Sequence, residues 1–237
     1  MADAFTRTAS LFGDAAMKKL ADSRVAVFGL GGVGGYAVEG LVRSGIGALD
    51  LIDPDSFSET NLNRQLLATR DTVGRQKTAV AAERCAAINP ACTVRTYPLF
   101  YLPDTADQLD LTDYDYIVDA IDTVTGKLTL IEHARAAGIP IISCLGTGNK
   151  LDAAALEVAD ISETAVCPLA RILRKELKKR GIDRLKVVYS REMPRHADPG
   201  DETPPEGRRD IPGTCAFVPA VAGMLLAGCV VRDLTGI

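Results

Sequence analysis

The chain has 237 residues, of which 47% are hydrophobic and 24% are charged, so it can bury a hydrophobic core of its own. Its 21 glycines and 12 prolines follow no short repeat, which excludes collagen-like, low-complexity and solenoid proteins. The net charge of -4 argues against a protein that coats nucleic acid through its whole surface, although a local basic face remains allowed.

The first half of the chain alternates between strand and helix patterns. Residues 1–19 mix charged and apolar side chains without the apolar core of a signal peptide, so we expect no export. β-branched runs and apolar periodicity then predict further elements. In chain order, these are a strand at 24–29, a helix at 33–44, a strand at 48–53, a helix at 76–88 and a strand at 93–98.

The same alternation continues to Gly148 and then breaks. We predict a strand at 116–121, a helix at 127–137, a strand at 140–144, a strand at 155–161, a charged helix at 168–180, a strand at 186–190 and a mobile loop at 191–213. Alternation of this kind predicts an α/β fold with a doubly wound, mostly parallel, Rossmann-like sheet. We expect one domain over 1–237, with a nucleotide-binding core at 1–148 and a C-terminal extension at 149–237.

The last apolar stretch, residues 216–231, is about 16 residues long and shorter than the roughly 20 that span a bilayer. We interpret it as a buried helix and not as a membrane span, with a weak membrane contact as the alternative. The six cysteines form no C-x-x-C pair, which disfavours a zinc site and a disulfide framework and suits a reduced, cytoplasmic protein.

A glycine-rich turn carries the first functional signal. Gly29, Gly31, Gly32 and Gly34 match G-x-G-x-x-G between a predicted strand and a predicted helix, and Asp53 ends the next strand. Such glycines let the backbone turn tightly against a phosphate at a helix N-terminus, while the acid accepts a ribose hydroxyl. The pattern predicts a nucleotide site, with a merely structural glycine turn as the alternative.

Polar and cationic residues follow Asp53 in a way that a generic nicotinamide dehydrogenase does not require. Arg64 and Lys77 are suited to clamp the phosphates of a triphosphate through charge-assisted hydrogen bonds. Their alternative interpretation is a solvated polar loop and a surface lysine.

Two acids, Asp119 and Asp122, end the fourth predicted strand. Asp122 is placed to hold Mg²⁺ against the phosphates through one carboxylate and several waters, and its alternative role is to cap the following helix. We expect Asp119 to be a structural partner.

These motifs together resemble the ubiquitin-activating-enzyme superfamily, which includes the ThiF and MoeB adenylyltransferases. The residues that carry the resemblance are Gly29 to Gly34, Asp53, Asp55, Asn61, Arg64, Gln65, Lys77, Asp119 and Asp122. Further segments look like the branch of tRNA threonylcarbamoyladenosine dehydratases, and these are Leu11-Phe-Gly13, Arg43-Ser-Gly-Ile-Gly47, Ile88-Asn-Pro90, Gly146-Thr-Gly148 and Asp152. The resemblance covers nearly the whole chain.

The resemblance implies a role for each matching position. Adenosine and ribose would be held by Gly31, Gly32, Gly34 and Asp53, the triphosphate by Asn61, Arg64, Gln65 and Lys77, and magnesium by Asp122. Arg7 would reach the phosphates of a partner subunit, which implies a homodimer. Whether a monovalent cation, a cysteine desulfurase or a sulfur-carrier protein also binds is left open.

Two features separate this chain from the activators of sulfur-carrier proteins. Those activators commonly have Asp-Asn after the fourth strand and paired C-x-x-C motifs, whereas this chain has Asp122-Thr123 and no such motif. Cys215 stands at a position that resembles the one where activators in that branch can carry a cysteine nucleophile. The dehydratase branch would close a ring within its substrate, which needs no thioester, so we favour a structural role for Cys215. We interpret Cys167 as a packing residue.

The charged helix suggests the substrate. Eight cations lie within sixteen positions, opposed there by Glu176 and Asp183, and they are Arg171, Arg174, Lys175, Lys178, Lys179, Arg180, Arg184 and Lys186. Such a local patch is typical of a surface that follows an RNA backbone, and a solvated amphipathic face is the alternative.

The function expected from this resemblance is an ATP-dependent cyclisation of threonylcarbamoyladenosine in tRNA through an acyl-adenylate. The first alternative is adenylation of the C-terminus of a ubiquitin-like or sulfur-carrier protein. A nicotinamide oxidoreductase would leave Arg64 and Lys77 unexplained, and a non-enzymatic ATP-binding docking protein is the remaining alternative.

Overall fold

The computed structural model describes residues 4–196 and 212–237, so most of the predicted loop at 191–213 lies outside the described residues. Seven strands in this described part form one sheet. In chain order they are β1 (Arg24–Phe28), β2 (Ala48–Ile52), β3 (Thr93–Tyr97), β4 (Tyr116–Asp119), β5 (Ile141–Cys144), β6 (Leu156–Asp160) and β7 (Lys186–Ser190). Their order across the sheet is β3-β2-β1-β4-β5-β7-β6, with β6 antiparallel to β7 and every other neighbouring pair parallel.

The helices of the described part cover both faces of this sheet. They are α1 (Thr6–Phe12), α2 (Asp14–Ala21), α3 (Gly34–Arg43), α4 (Lys77–Ile88), α5 (Val124–Ala137), α6 (Pro168–Lys179) and α7 (Phe217–Thr235). The doubly wound, mostly parallel α/β fold expected from the alternation is therefore confirmed. Helices α1 and α2 have no counterpart among the predicted elements.

Strand β1 shows why both faces need cover. Alternate side chains of a strand point to opposite faces. Val25 and Val27 belong to the core cluster shared with α3 and α7, whereas Ala26 and Phe28 belong to the cluster shared with α5. All four are fully buried, as expected for a central strand of a parallel sheet.

Several element ends follow from local chemistry. Helix α6 begins with Pro168 at its first position, where a missing N–H costs no hydrogen bond. Helix α5 begins at Val124, earlier than the predicted start at 127, and ends at Ala137, where Gly138 is the C-cap with a left-handed φ of 71°. Strand β4 ends at Asp119, so Ala120 and Ile121, which were predicted as strand, lie in the connection to α5.

The C-terminal apolar stretch is a core helix of 19 residues, longer than the segment predicted. Val218, Ala222, Leu226 and Val230 are buried at helical spacing. The last three pack within the cluster that contains α3. Among the described residues this is the helix long and apolar enough to cross a membrane by length and composition alone, and half of that window is buried inside the protein. The interpretation as a buried helix agrees with this packing.

Candidate active site

A cavity of about 730 Å³ opens at the carboxyl ends of the parallel strands, where ligands of doubly wound folds bind. The turns after β1, β2, β4 and β5 line it. Ten of the site residues predicted from the sequence are in the lining, namely Gly29, Gly31, Gly32, Asp53, Asp55, Asn61, Arg64, Gln65, Lys77 and Asp122. Gly34 and Arg7 are outside it.

Steric necessity explains two of the glycines. Gly29 has a φ of 88°, and a Cβ there would lie 2.6 Å from the carbonyl oxygen of Ala120. A Cβ at Gly34 would lie 1.7 Å from the carbonyl oxygen of Gly29. Gly34 therefore lets α3 begin directly against the turn, which leaves Gly31 and Gly32 facing the cavity.

Asp53 is a buried carboxylate at the end of β2. One oxygen accepts the backbone N–H of Leu30 at 2.6 Å and the other accepts that of Asp55 at 2.9 Å. Burial raises the pKa of this carboxyl group above its ordinary value, while nearby Lys77 opposes the shift. The side chain thus joins the glycine turn to the loop after β2.

Lys77 is the first residue of α4, and its side chain is 7% exposed. Its Nζ lies 2.9 Å from Asp55 Oδ2 and 3.8 Å from Asp53 Oδ1. The interpretation of Lys77 as a surface lysine is therefore wrong. A phosphate in the cavity would meet an ammonium group that Asp53 and Asp55 already hold in position.

The loop at 58–65 carries the other predicted phosphate ligands. A 3-10 turn at Glu59–Asn61 is closed by Ser58, whose N–H donates to Asn61 Oδ1. The Arg64 guanidinium donates to the carbonyl oxygen of Thr60 and to Asn63 Oδ1, both at 2.9 Å. Within the described part of the chain, Gln65 Oε1 is buried without a hydrogen-bond partner, although Gln65 lines the cavity.

Asp122 is exposed and lines the cavity just beyond β4. The N-cap position of α5 belongs to Thr123, and Asp122 is the residue before it. No group of three or more His, Cys, Asp or Glu side chains that could hold a metal occurs in 4–196 and 212–237. A single carboxylate together with phosphate oxygens and water is nevertheless a common Mg²⁺ environment.

An apolar wall was missed in the sequence. Leu99, Phe100 and Tyr101 follow the edge strand β3 and line the cavity beside Phe28 and Ile52. The Tyr101 ring packs edge-on against Phe28 with centroids 4.9 Å apart, and its hydroxyl lies 3.0 Å from His133 Nδ1. This is the part of the cavity suited to a flat base. The apolar run at 99–101 is its sequence signal.

A buried ion pair under the cavity was also missed. Lys127 is 1% exposed, and its Nζ donates to Asp119 Oδ2 at 3.0 Å and to the carbonyl oxygen of Cys144 at 2.7 Å. Asp119 also accepts the Ser143 hydroxyl and the Ile121 N–H. The expectation that Asp119 is a structural partner agrees with these contacts, which tie β4, β5 and α5 together.

Cys144, which lines the cavity, is not an activated thiol. Burial raises the pKa of Cys144 to about 12, which disfavours the thiolate. Cys215 Sγ lies 3.6 Å from the carbonyl oxygen of Lys150, and Cys167 is buried at the N-cap of α6. All six cysteines are free.

Several of the eight cations in the predicted basic patch are bound to groups of the protein itself. Arg174 turns inward to the carbonyl oxygen of Thr164, Lys179 and Arg180 pair with Glu176, and Lys186 pairs with Asp233. Arg171, Lys175 and Lys178 remain exposed at helical spacing on one side of α6. We call these three residues the basic face.

The whole chain is similar to proteins of one known family. The family model described as "ThiF family" matches residues 5–237. A Bacillus subtilis protein named tRNA threonylcarbamoyladenosine dehydratase is 39% identical over 97% of this chain and 94% of its own length. The Escherichia coli protein of the same name is 44% identical over 73% of this chain and 65% of its own length.

A solved structure gives the same result for the fold. The crystal structure of E. coli tRNA N6-threonylcarbamoyladenosine dehydratase in complex with ATP superposes with a TM-score of 0.87 and 35% sequence identity. The match covers 98% of this chain and 93% of that chain.

Proposed function

The chain belongs to the ThiF family, and we propose that it is an ATP-dependent dehydratase that cyclises threonylcarbamoyladenosine in tRNA. The observation that carries the proposal is that the glycine turn, Arg64, Lys77 and Asp122 all line the same cavity. Relatives at 39% and 44% identity bear the corresponding enzyme name. We also propose that 1–237 is one domain, because β7 pairs with β5 and α7 packs with α3 across the boundary at 148.

The proposed reaction has two steps, adenylation of the substrate and ring closure. A carboxylate oxygen of threonylcarbamoyladenosine attacks the α-phosphorus of ATP, and the bond from that phosphorus to the departing pyrophosphate breaks. The ureido nitrogen then attacks the activated acyl carbon and expels AMP as it loses a proton. One water is lost from the nucleoside, while ATP becomes AMP and pyrophosphate.

The roles of the side chains follow from charge and placement. Lys77 and Arg64 offset the negative charge that grows on the pyrophosphate, the electrostatic contribution that usually dominates such transfers. Gly31 and Gly32 let the phosphates approach the backbone, and Asp53 accepts a ribose hydroxyl. Asn61, Gln65 and Asp55 complete the polar rim of this half of the cavity.

Magnesium fits this site through Asp122 and the phosphates. An exposed carboxylate at the cavity edge suits an ion that keeps several waters and takes one or two protein ligands. When bound, the ion would supply positive charge beside the phosphates. No all-protein metal cage is needed for this role.

The direct experiment uses tRNA that carries threonylcarbamoyladenosine. After incubation with the purified protein and MgATP, mild digestion and mass spectrometry should reveal a nucleoside lighter by one water, with one AMP formed per event. An unchanged nucleoside with intact ATP binding would contradict the proposal. AMP formation that depends instead on a sulfur-carrier protein would favour that alternative substrate.

Charge reversal on the basic face should weaken tRNA binding selectively. For Lys175→Glu with Lys178→Glu, we expect at least about tenfold lower affinity and a shallower salt dependence, because each phosphate contact contributes about one unit to the salt slope. The control is Lys18→Glu with Lys19→Glu on α2, which changes the net charge equally. Equal losses in both variants, measured by filter binding across salt concentrations, would show that only net charge matters.

We further propose a homodimer in which Arg7 reaches the partner's cavity. Helix α1 has no buried residue and exposes 80% of Leu11, and an apolar groove formed by Tyr36, Ala220, Val221, Met224 and Leu225 lies open on the surface. Both features suit contact with a second copy of the chain.

Mixing two inactive variants tests this arrangement. Arg7→Ala and Asp122→Ala proteins, unfolded and refolded together, should recover about a quarter of wild-type activity, because half of the random dimers carry one intact site of two. Each variant refolded alone is the control. No recovery would show that Arg7 acts in its own subunit, and normal activity of Arg7→Ala refolded alone would show that Arg7 has no role.

The proposed location is the cytoplasm, where free thiols persist. The six free cysteines, five of them buried, support this proposal.

A further inference from the structure

Asn149 joins two distant segments of the chain at the cavity mouth. It follows the cavity-lining loop 145–148 and has a φ of 61°, in the left-handed region that asparagine tolerates better than other non-glycine residues. Its backbone carbonyl accepts the N–H of Arg195 at 2.8 Å. Its backbone N–H and its side chain both bond to Gly213.

The two bonds to Gly213 form a closed pair. Asn149 N–H donates to the Gly213 carbonyl oxygen at 2.7 Å, and Asn149 Oδ1 accepts the Gly213 N–H at 2.7 Å. The side chain thus supplies the acceptor that a neighbouring strand would otherwise supply. The two bonds together hold both the N–H and the carbonyl group of Gly213 in place.

The segment held in this way is part of the cavity wall. Pro212 and Thr214 both line the cavity. Pro212 sits so close to Gly148 that a Cβ on that glycine would be 2.8 Å from Pro212 Cβ. On its other side, Thr214 accepts a hydrogen bond of 3.3 Å from Asn63, next to Arg64. We call residues 212–214 the C-terminal wall.

The sheet order separates this wall from the base-binding end. The loops after β3 and β2 carry the apolar wall and Asp53, whereas the loop 145–148 follows β5 on the far side of β4. In the proposed function ATP lies on the glycine-turn side, so the carboxylate that attacks it would approach from the side of β5. The C-terminal wall and the loop 145–148 border that approach.

We propose that Asn149 is a positioning residue that fixes the C-terminal wall and so sets the fit of the modified adenosine, but not of ATP. This inference rests on the proposed dehydratase function. Asn149 acts through Gly213 and not on the reacting atoms. Its effect is therefore expected in the KM for tRNA more than in the KM for ATP.

The test is a pair of substitutions. Asn149→Gly keeps the left-handed backbone accessible and removes only the acceptor, so we expect the KM for modified tRNA to rise about tenfold, with the KM for ATP changed less than about twofold. Asn149→Asp keeps an oxygen that accepts the Gly213 N–H and should restore the wild-type KM.

The matched control is Asn89→Gly. Asn89 Oδ1 also accepts a backbone N–H, that of Ala91, but lies at the end of α4 outside the cavity lining. We expect this variant to keep both KM values even if its melting temperature falls.

Three results would overturn the inference. These are a parallel rise of the ATP KM in Asn149→Gly, unchanged kinetics in that variant, or an Asn149→Asp protein as defective as Asn149→Gly. Failure of the proposed function is distinguishable, because wild-type protein would then yield no dehydrated nucleoside at all.

Discussion

Asp122→Ala is expected to lower the rate of AMP formation by about a hundred- to a thousandfold while leaving the fold intact. The carboxylate stands at the cavity edge beyond β4, where it would hold the ion that offsets phosphate charge. Its exposure means that the substitution leaves no hole in the core. The measurement is AMP release at saturating ATP and modified tRNA, with circular dichroism to check the fold.

The control for this change is Asp71→Ala. Asp71 is also exposed but is absent from the cavity lining, so its removal alters the net charge equally. We expect near-normal turnover from this control. If Asp122→Ala also turned over within tenfold of wild type, Asp122 would not be the metal-holding group.

Lys127→Met should cost about 3 to 5 kcal/mol of the free energy of unfolding. The substitution would strand Asp119 as a buried charge, because both side chains of the pair are at most 1% exposed. Adding Asp119→Asn should recover most of the loss, since no uncompensated charge then remains. Urea unfolding at neutral pH measures the free energy of unfolding of each variant in this cycle. If Lys127→Met is insoluble and only the double variant is soluble, the same conclusion follows.

The comparison is Lys19→Met. Lys19 and Asp115 form an ion pair of 3.7 Å whose side chains are 50% and 37% exposed. Exposed pairs contribute about 0 to 1 kcal/mol, so this variant should unfold nearly as the wild type does. Similar losses for Lys127→Met and Lys19→Met would contradict a special role for the buried pair.

Local patterns were sufficient for most of the sheet and for the nucleotide end of the cavity. Strands such as β1 and β2 are short apolar runs with buried side chains. The turn between β1 and α3 is recognisable from the G-x-G-x-x-G spacing of its glycines. Parallel strands bring their carboxyl ends to one edge. That Asp53, Lys77 and Asp122 line one cavity was therefore predictable from their places at the ends of predicted strands and at the start of a predicted helix.

The remaining features depend on contacts between residues far apart in the chain. Nothing local to Asn149 shows that it will meet Gly213, and Lys127 reads as a surface residue until α5 packs onto β4. Helices α1 and α2 are seven and eight residues long and carry no side-chain cap, so they lack clear start signals. The predicted patch of eight cations was overestimated, because partners distant in the sequence, such as Asp233 for Lys186, do not enter a local count of charges.

The continuity of the cavity from the apolar wall to the C-terminal wall has a pharmacological consequence. A single small molecule that spans both regions, for instance an adenosine joined through a non-hydrolysable sulfamate to an acyl group, would occupy two adjoining subsites at once. Tethering makes the second contact intramolecular and thus raises affinity without new interactions. Such a molecule would also resemble the acyl-adenylate intermediate more closely than ATP or the modified nucleoside does. The shape of its acyl end would decide its selectivity among adenylating enzymes.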